Sequence, residues 1–344
     1  MKFRRLTAVI AASAIALSMS ACRDDYTREG GLITTADPEV MKEHIETTVI
    51  KGELTLEETV QHTVEASSKL VVDRENTLIG APARVEKIVS CSPEITQMLI
   101  ELGLGSKIVA ADVDSAGVAG VSPTICTLHR KIITVSAMAE IAPDAIIIDG
   151  TSADTVYTNL KSAEFNVACI PAASSIEDVK LNIDFLASYL SVEEKGAEVT
   201  GEIDRVVNDI RVKAETIDVK RKAYFEEQSV PELRAYGSGT LAWDIAELVG
   251  AIAVFPEQVG VASVTSDDVI RANPDIILTS VAYDGYDINE IKTRTGWNKI
   301  NAVKNGAIYQ VSEISQTASV TDSIYEIAKA IYPELYTDDA ASVA

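Results

Sequence analysis

From Val85 onward, short β-branched runs (VEKIVS, KIVAAD, DAIIID and FNVACI) alternate with polar turns and amphipathic helix candidates. Strands that are apolar throughout must be covered on both faces, and parallel sheets achieve this by crossing over through helices. A long helical stretch follows from Ser175 to about Ile217, broken near Leu190 and Ser191, where Ser191-x-x-Glu194 has the spacing of a capping box. Its second part, from Val192, would be about 39 Å long at 1.5 Å per residue, enough to run from one lobe to another. The alternation then resumes in KAYFEE, RAYGSGTLAWDIAELVG, PDIILTS and GAIYQVSE, and a last helix is expected from Val320 to Ile331. The expected fold is α/β, with two parallel-sheet lobes (85–174 and 219–337) joined by a single long backbone helix within a helical segment, 175–218, and a tail at 338–344. The lobes share a loose echo, IAPDAIIIDG at 141–150 against ANPDIILTSV at 272–281.

Ahead of this body, Lys2, Arg4 and Arg5 precede an apolar stretch, Leu6 to Leu17, too short to span a bilayer comfortably. Residues 1–21 are expected to be a secretory signal peptide. Its end, Met19-Ser20-Ala21-Cys22, resembles the bacterial lipobox, in which the cysteine sulfur is lipidated. No later segment approaches twenty uninterrupted apolar residues, so the expected protein is extracytoplasmic, tethered by lipid to the outer face of the cell membrane. Residues 22–84 read as an acidic spacer with helical pieces around Pro38–Thr48 and Thr55–Leu70. In the second piece Leu56, Val60 and Val64 make a stripe that either docks on the body or belongs to the spacer.

The formal charge of -22 argues against nucleic acid and against a grip on anionic lipid, both of which need clustered Lys and Arg. Cys91, Cys126 and Cys169 show no CxxC spacing, so buried thiols or a single disulfide are expected rather than a disulfide framework or structural zinc. His44, His62 and His129 are too scattered for a transition-metal site. No resident metal or cofactor is expected.

Open parallel sheets bind ligands outside the carboxyl ends of their strands, where helix N-termini converge. In the first lobe that rule selects Ser92, Pro93, Glu94 and Thr96, then Asp112 and Asp114, then Thr151 and Ser152. In the second it selects Glu227, Gln228 and Ser229, the turn carrying Tyr236, Ser238 and Thr240, then Ser280, Tyr283 and Asp284, and Glu313. Trp243, one helical turn on, is either an apolar wall for a ligand or a core residue, and Trp297 is expected as a packing anchor. The turn YGSGTLAW lacks the ending of a P-loop and the full dinucleotide spacing. No GxSxG elbow, HExxH helix or matched Cys/His pair is present, so an enzyme is not expected.

The run RVEKIVSCSPEITQMLIELGLGSKIVAAD resembles the opening of the iron-chelate and cobalamin substrate-binding proteins of ABC importers. The resemblance continues in order through AEIAPDAIII, YGSGTLAWDIAELVGA, VIRANPDIIL, GWNKINAVKNGAIYQV and the terminal IYPELY, covering roughly 84–336. It implies a monomeric receptor that holds a siderophore, haem or cobalamin between two lobes and delivers it to a permease driven by a cytoplasmic ATPase. The family docks through an acid on each lobe. Asp267 matches in the second lobe, whereas the first-lobe position falls near Ser136, with Glu140 a substitute one turn later. Basic side chains are few among the selected turns, so an amide-fringed corrinoid is favoured slightly over an anionic chelate. Two other readings stay open: a surface sensor or scaffold uncoupled from transport, and a cell-surface enzyme on the same fold.

Overall fold

The computed structural model describes residues 69–74, 78–152, 154–281 and 286–336. The expected signal peptide, Cys22, the stripe at Leu56 to Val64, Tyr283, Asp284 and the tail at 338–344 lie outside them. The chain divides into two compact units, the first comprising the chain to Pro171 with Asp184–Gly196, the second Ala172–Ile183 with Ala197 onward.

Unit 1 opens with an antiparallel hairpin, β1 (Lys69–Val72) and β2 (Leu78–Ala81), in which buried Val71 faces buried Ile79. The helical piece expected to reach Leu70 therefore gives way to strand by Lys69, and the region expected as spacer to residue 84 ends in sheet. Leu78 to Ala81 alternate partly buried and buried positions, which fits a half-covered strand.

The main sheet of unit 1 holds β3 (Ile88–Ser90), β4 (Ile108–Asp112), β5 (Cys126–Leu128), β6 (Ala145–Asp149) and β7 (Val167–Ile170). They run parallel in the order β5-β4-β3-β6-β7. The order reverses between β3 and β6, the switch point at which such sheets open a crevice. Helices α1 (Pro93–Glu101), α2 (Val135–Ile141) and α3 (Asp154–Ser162) interleave with the strands. Val89, Met138, Ile146, Ile148, Leu160 and Val167 form a common core. The edge strand β5 is three residues long and carries no apolar run, so the sequence pattern does not single it out.

The helical segment is α4 (Ile176–Tyr189) and α5 (Glu193–Ala214), and both contribute residues to each unit. The 22 residues of α5 make about 33 Å of helix at 1.5 Å per residue. The break falls where expected, but Ser191 does not open α5. It ends α4 in the left-handed region (φ 57°), and the Val192 amide donates to the Ala187 carbonyl at 2.8 Å, the six-to-one bond of a Schellman closure.

Unit 2 holds β8 (Lys222–Gln228), β9 (Arg234–Tyr236), α6 (Leu241–Leu248), β10 (Ile252–Ala253), β11 (Val261–Ser263), α7 (Ser266–Ala272), β12 (Ile276–Thr279), α8 (Glu290–Thr293), α9 (Asn301–Asn305), β13 (Ile308–Gln310) and α10 (Val320–Ile331). Its sheet runs β11-β9-β8-β12-β13, with β10 against the amino half of β8. Strands β8, β10, β12 and β13 are mutually parallel, while β9 turns back from β8 and runs antiparallel to it. The core is built on Tyr224, whose ring meets Phe255 and Trp297 edge-on at 5.9 and 6.2 Å. Trp297 is fully buried, as a packing anchor should be.

The echo between the lobes is structural. Helices α2 and α7 are each capped by a threonine, Thr134 and Thr265, and each ends on a left-handed residue, Ala142 and Asn273. A Pro-Asp pair follows in both. The Asp144 carboxylate accepts the Glu86 and Lys87 amides at 2.7 and 2.8 Å just ahead of β3, and Asp275 accepts the Lys222 amide at 3.0 Å as β8 begins.

Candidate functional site

In unit 1 the carboxyl ends of β4, β3 and β6 lie side by side, and their polar groups are largely engaged with one another. Ser92 caps α1, accepting the Ile95 amide at 3.3 Å. The Thr96 hydroxyl shares hydrogen bonds with Ser90 (2.7 Å) and Ser115 (2.9 Å). Both Ser92 and Thr96 are fully buried, so the expected lip narrows to half-buried Pro93 and exposed Glu94 at the start of α1. Asp112 is also buried, its carboxylate accepting the Asp114 and Arg130 amides, which leaves Asp114 as the exposed acid there. Ser152 and Thr151 both donate to Asp149 Oδ1, at 3.1 and 2.9 Å, and Arg130 reaches Asp149 Oδ2 at 3.6 Å. The Arg130 segment therefore ties the end of β4 to the end of β6. Asp149 and Arg130 were not singled out in the sequence, although the acid closing DAIIID sits just where the carboxyl-end rule points.

In unit 2 a polar pocket of about 370 Å³ opens at the carboxyl ends of β8, β12 and β13. Its lining is Glu227 and Gln228 at the end of β8, Ser229 and Val230 just after it, Ser280 and Val281 after β12, Glu313 beyond β13, and Tyr236 from β9. Gln228, Tyr236 and Glu313 are thus brought together. Burial pushes the Tyr236 phenol up and its hydrogen bond with Ser280 pulls the other way, with a net rise, so the ring keeps its proton. Glu227 Oε2 and the Ser229 hydroxyl are buried atoms with no hydrogen-bond partner among the described residues, although Arg234 stands 3.7 Å from the former.

The rest of the YGSGT turn does not join this pocket. Ser238 donates to the Gln258 carbonyl at 3.0 Å, and Thr240 caps α6, accepting the Trp243 amide at 3.2 Å and donating to Gly237 at 2.7 Å. A Cβ on Gly237 would lie 2.1 Å from the Gln258 oxygen, so this glycine serves a close chain crossing. The reason is topological: the carboxyl-end rule applies to the parallel strands, and β9 runs the other way, carrying its turn off from the ends of β8, β12 and β13. Trp243 is half-buried on α6 and does not line the pocket. A larger groove, about 800 Å³, lies at the amino ends of β8, β12 and β13. It is partly filled by Arg221, which pairs with Glu334 at 2.9 Å and stacks on Tyr332, and the strand amino ends offer no converging helix N-termini.

A family model described as periplasmic binding protein matches residues 88–314. The chain belongs to the periplasmic binding protein family. It is 26% identical over 279 residues to the uncharacterized ABC transporter substrate-binding lipoprotein YvrC of Bacillus subtilis, spanning 77% of this chain and 86% of that one. It is 21% identical over 200 residues to the Fe(3+)-citrate-binding protein YfmC of the same species, spanning 57% and 63%. A possible iron-binding (periplasmic solute-binding) protein from Staphylococcus epidermidis superposes with a TM-score of 0.65 at 25% identity, over 72% of this chain and 99% of that one.

In this periplasmic binding protein the echoed helices carry the docking candidates. Asp267 is exposed in the first turn of α7, and Ser136 occupies the corresponding exposed place on α2, two residues after its threonine cap. Glu140 is exposed one turn further along α2. Cys91, Cys126 and Cys169 are free thiols. Burial, then Asp149 and Asp112, push the Cys91 thiol far up, which keeps it protonated and unreactive. Among the described residues no helix is long and apolar enough to cross a membrane, and no group of His, Cys, Asp and Glu is placed to hold a metal ion.

Proposed function

We propose that this protein is the substrate-binding component of an ABC importer, lipid-anchored through Cys22, that captures a metal chelate and presents it to a membrane permease. The observation that carries the reading is the family match across both units, with a polar pocket at the carboxyl ends of the parallel strands of unit 2. The likeness to a relative described as an ABC transporter substrate-binding lipoprotein supports the anchor and the permease partner. Relatives named for ferric citrate and for iron support a chelate as cargo, and a siderophore, haem or cobalamin remain the candidates. The ligand-contacting groups on this reading are Gln228, Tyr236 and Glu313 in unit 2, with Pro93, Glu94, Asp114 and Thr151 in unit 1. Turnover of the ligand is not expected.

Titration of the purified mature chain with cobalamin, haemin and ferric siderophores, followed by tryptophan fluorescence, tests the reading. Saturable binding at micromolar concentration or tighter is expected, and no response to any of them would remove it. A sensor or scaffold uncoupled from transport is favoured by one observation only, the serine at position 136 where an acid would pair with a permease arginine. Transport assays separate the two: Asp267→Lys or Glu140→Lys should abolish uptake with ligand affinity intact if the chain feeds a permease.

A further inference from the structure

We propose that the part of the chelate received by unit 2 is a hydrogen-bond-donating edge, neutral or cationic, and not a carboxylate edge. This rests on the reading above, that the pocket after β8, β12 and β13 holds the imported chelate.

Four observations in the pocket converge. Two of its walls are acids, Glu227 and Glu313, and no lysine, arginine or histidine stands among the described residues that line it. The nearby cation, Arg234, is turned to Glu227 at 3.7 Å and does not line the cavity. Glu227 Oε2 and Ser229 Oγ are buried without a hydrogen-bond partner among the described residues, and a buried acceptor is costly to leave unmet. Gln228 and Ser280 complete a wall that can accept hydrogen bonds through its amide and hydroxyl oxygens.

A ligand amide, hydroxyl or ammonium entering there meets waiting acceptors and, if cationic, two opposite charges. A ligand carboxylate meets two like charges, Glu227 half-buried and Glu313 at the mouth, and it offers Glu227 nothing to accept. Selection therefore comes as much from what the pocket repels as from what it satisfies. An amide-fringed corrinoid or a hydroxamate chelate with an ammonium arm fits this wall. Ferric citrate and haem, presented through their carboxylates, do not.

The test compares four probes on the purified mature chain by calorimetric titration: cyanocobalamin, ferrioxamine B, ferric citrate and haemin. At least one of the first two is expected to bind tenfold or more tightly than both of the last two. Glu313→Gln changes an exposed loop residue, and the buried-side change Glu227→Gln is checked against it. Each should shrink that ratio severalfold, by weakening the ammonium-bearing probe and strengthening ferric citrate. Tighter binding of ferric citrate or haemin, or an unchanged ratio in Glu313→Gln, overturns the inference while leaving the importer reading in place. Failure of all four probes to bind overturns the reading itself and the inference with it. Ferric citrate is the sharpest counter-probe because a relative is named for it.

Discussion

Arg294 grips Glu226 through two hydrogen bonds, 2.5 Å to Oε2 and 2.9 Å to Oε1. Glu226 is fully buried near the end of β8, and the guanidinium lies 4.6 Å over the Trp297 ring. Tyr224 adds a third hydrogen bond, donating to Oε2 at 3.3 Å. A buried carboxylate is tolerable only with such company, because the cost of removing it from water must be offset by a well-placed opposite charge. The pair thus locks the segment carrying α8 to the strand that leads into the pocket.

Arg294→Met removes one charge and strands the other. The loss in unfolding free energy should be about 3–5 kcal/mol, read from urea midpoints, and the double variant Glu226→Leu with Arg294→Met should regain most of it. A single-variant cost below about 1 kcal/mol would mean that Glu226 finds water or another partner in the native state.

Stability should fall as pH rises past the thiol range. Burial, followed by Asp149 and Asp112, raises the Cys91 thiol in the native state from an ordinary value of 9.0. Cys126 is raised as well, by burial and then by Asp112. The folded chain thus keeps protons that the unfolded chain releases, so the stabilisation is complete below pH 9 and drains away above it. Cys91, fully buried, contributes about 1.4 kcal/mol per pH unit once its unfolded form has ionised. Burial also raises Tyr189, Tyr224 and Tyr332, which steepens the loss above pH 10. In Cys91→Ala the slope between pH 9 and 10 should be shallower by about one proton; an unchanged slope would show that Cys91 does not take part.

How legible was this in the sequence? Strands buried on both faces, such as Ala145–Asp149 and Val167–Ile170, announce themselves as continuous apolar runs, and their carboxyl ends follow at once. Gln228 and Glu313 follow from that rule, whereas Tyr236 reaches the same pocket from a strand that runs the other way. What the pattern does not carry is direction and partnership. The reversal of β9 depends on which neighbour it pairs with, and the letters alone do not show that Ser238 and Thr240 make hydrogen bonds within their own turn. Ser92 and Thr96 look like free hydroxyls in a string of letters, and only packing shows them spent on each other's surroundings. The Glu226–Arg294 pair spans 68 residues, a separation at which no local periodicity speaks.

Ser191 holds a backbone conformation that costs an L-residue about 1–2 kcal/mol. Glycine there relieves that strain, and loses part of the gain to the greater freedom of its unfolded chain. Ser191→Gly should stabilise the protein by about 0.5–1 kcal/mol. A destabilised variant would instead mean that the Ser191 side chain opens α5 after all, as the capping-box spacing had indicated.

Two glycines of α5 make a matched pair with opposite expected signs. A Cβ at Gly196 would lie 2.4 Å from the Ala187 Cβ of α4, whereas one at Gly201 meets nothing within 4 Å on an exposed face. In an unobstructed helix, glycine to alanine gains about 1 kcal/mol in intrinsic propensity. Gly201→Ala should therefore raise the unfolding midpoint. Gly196→Ala earns the same propensity but forces two helix backbones apart, and overpacking of that kind costs about 1–3 kcal/mol. Thermal and urea unfolding of the two variants, measured side by side, should move in opposite directions. Parallel stabilisation would show that α4 and α5 separate without penalty, and that the close crossing at Ala187 and Gly196 does not hold the helical segment in place.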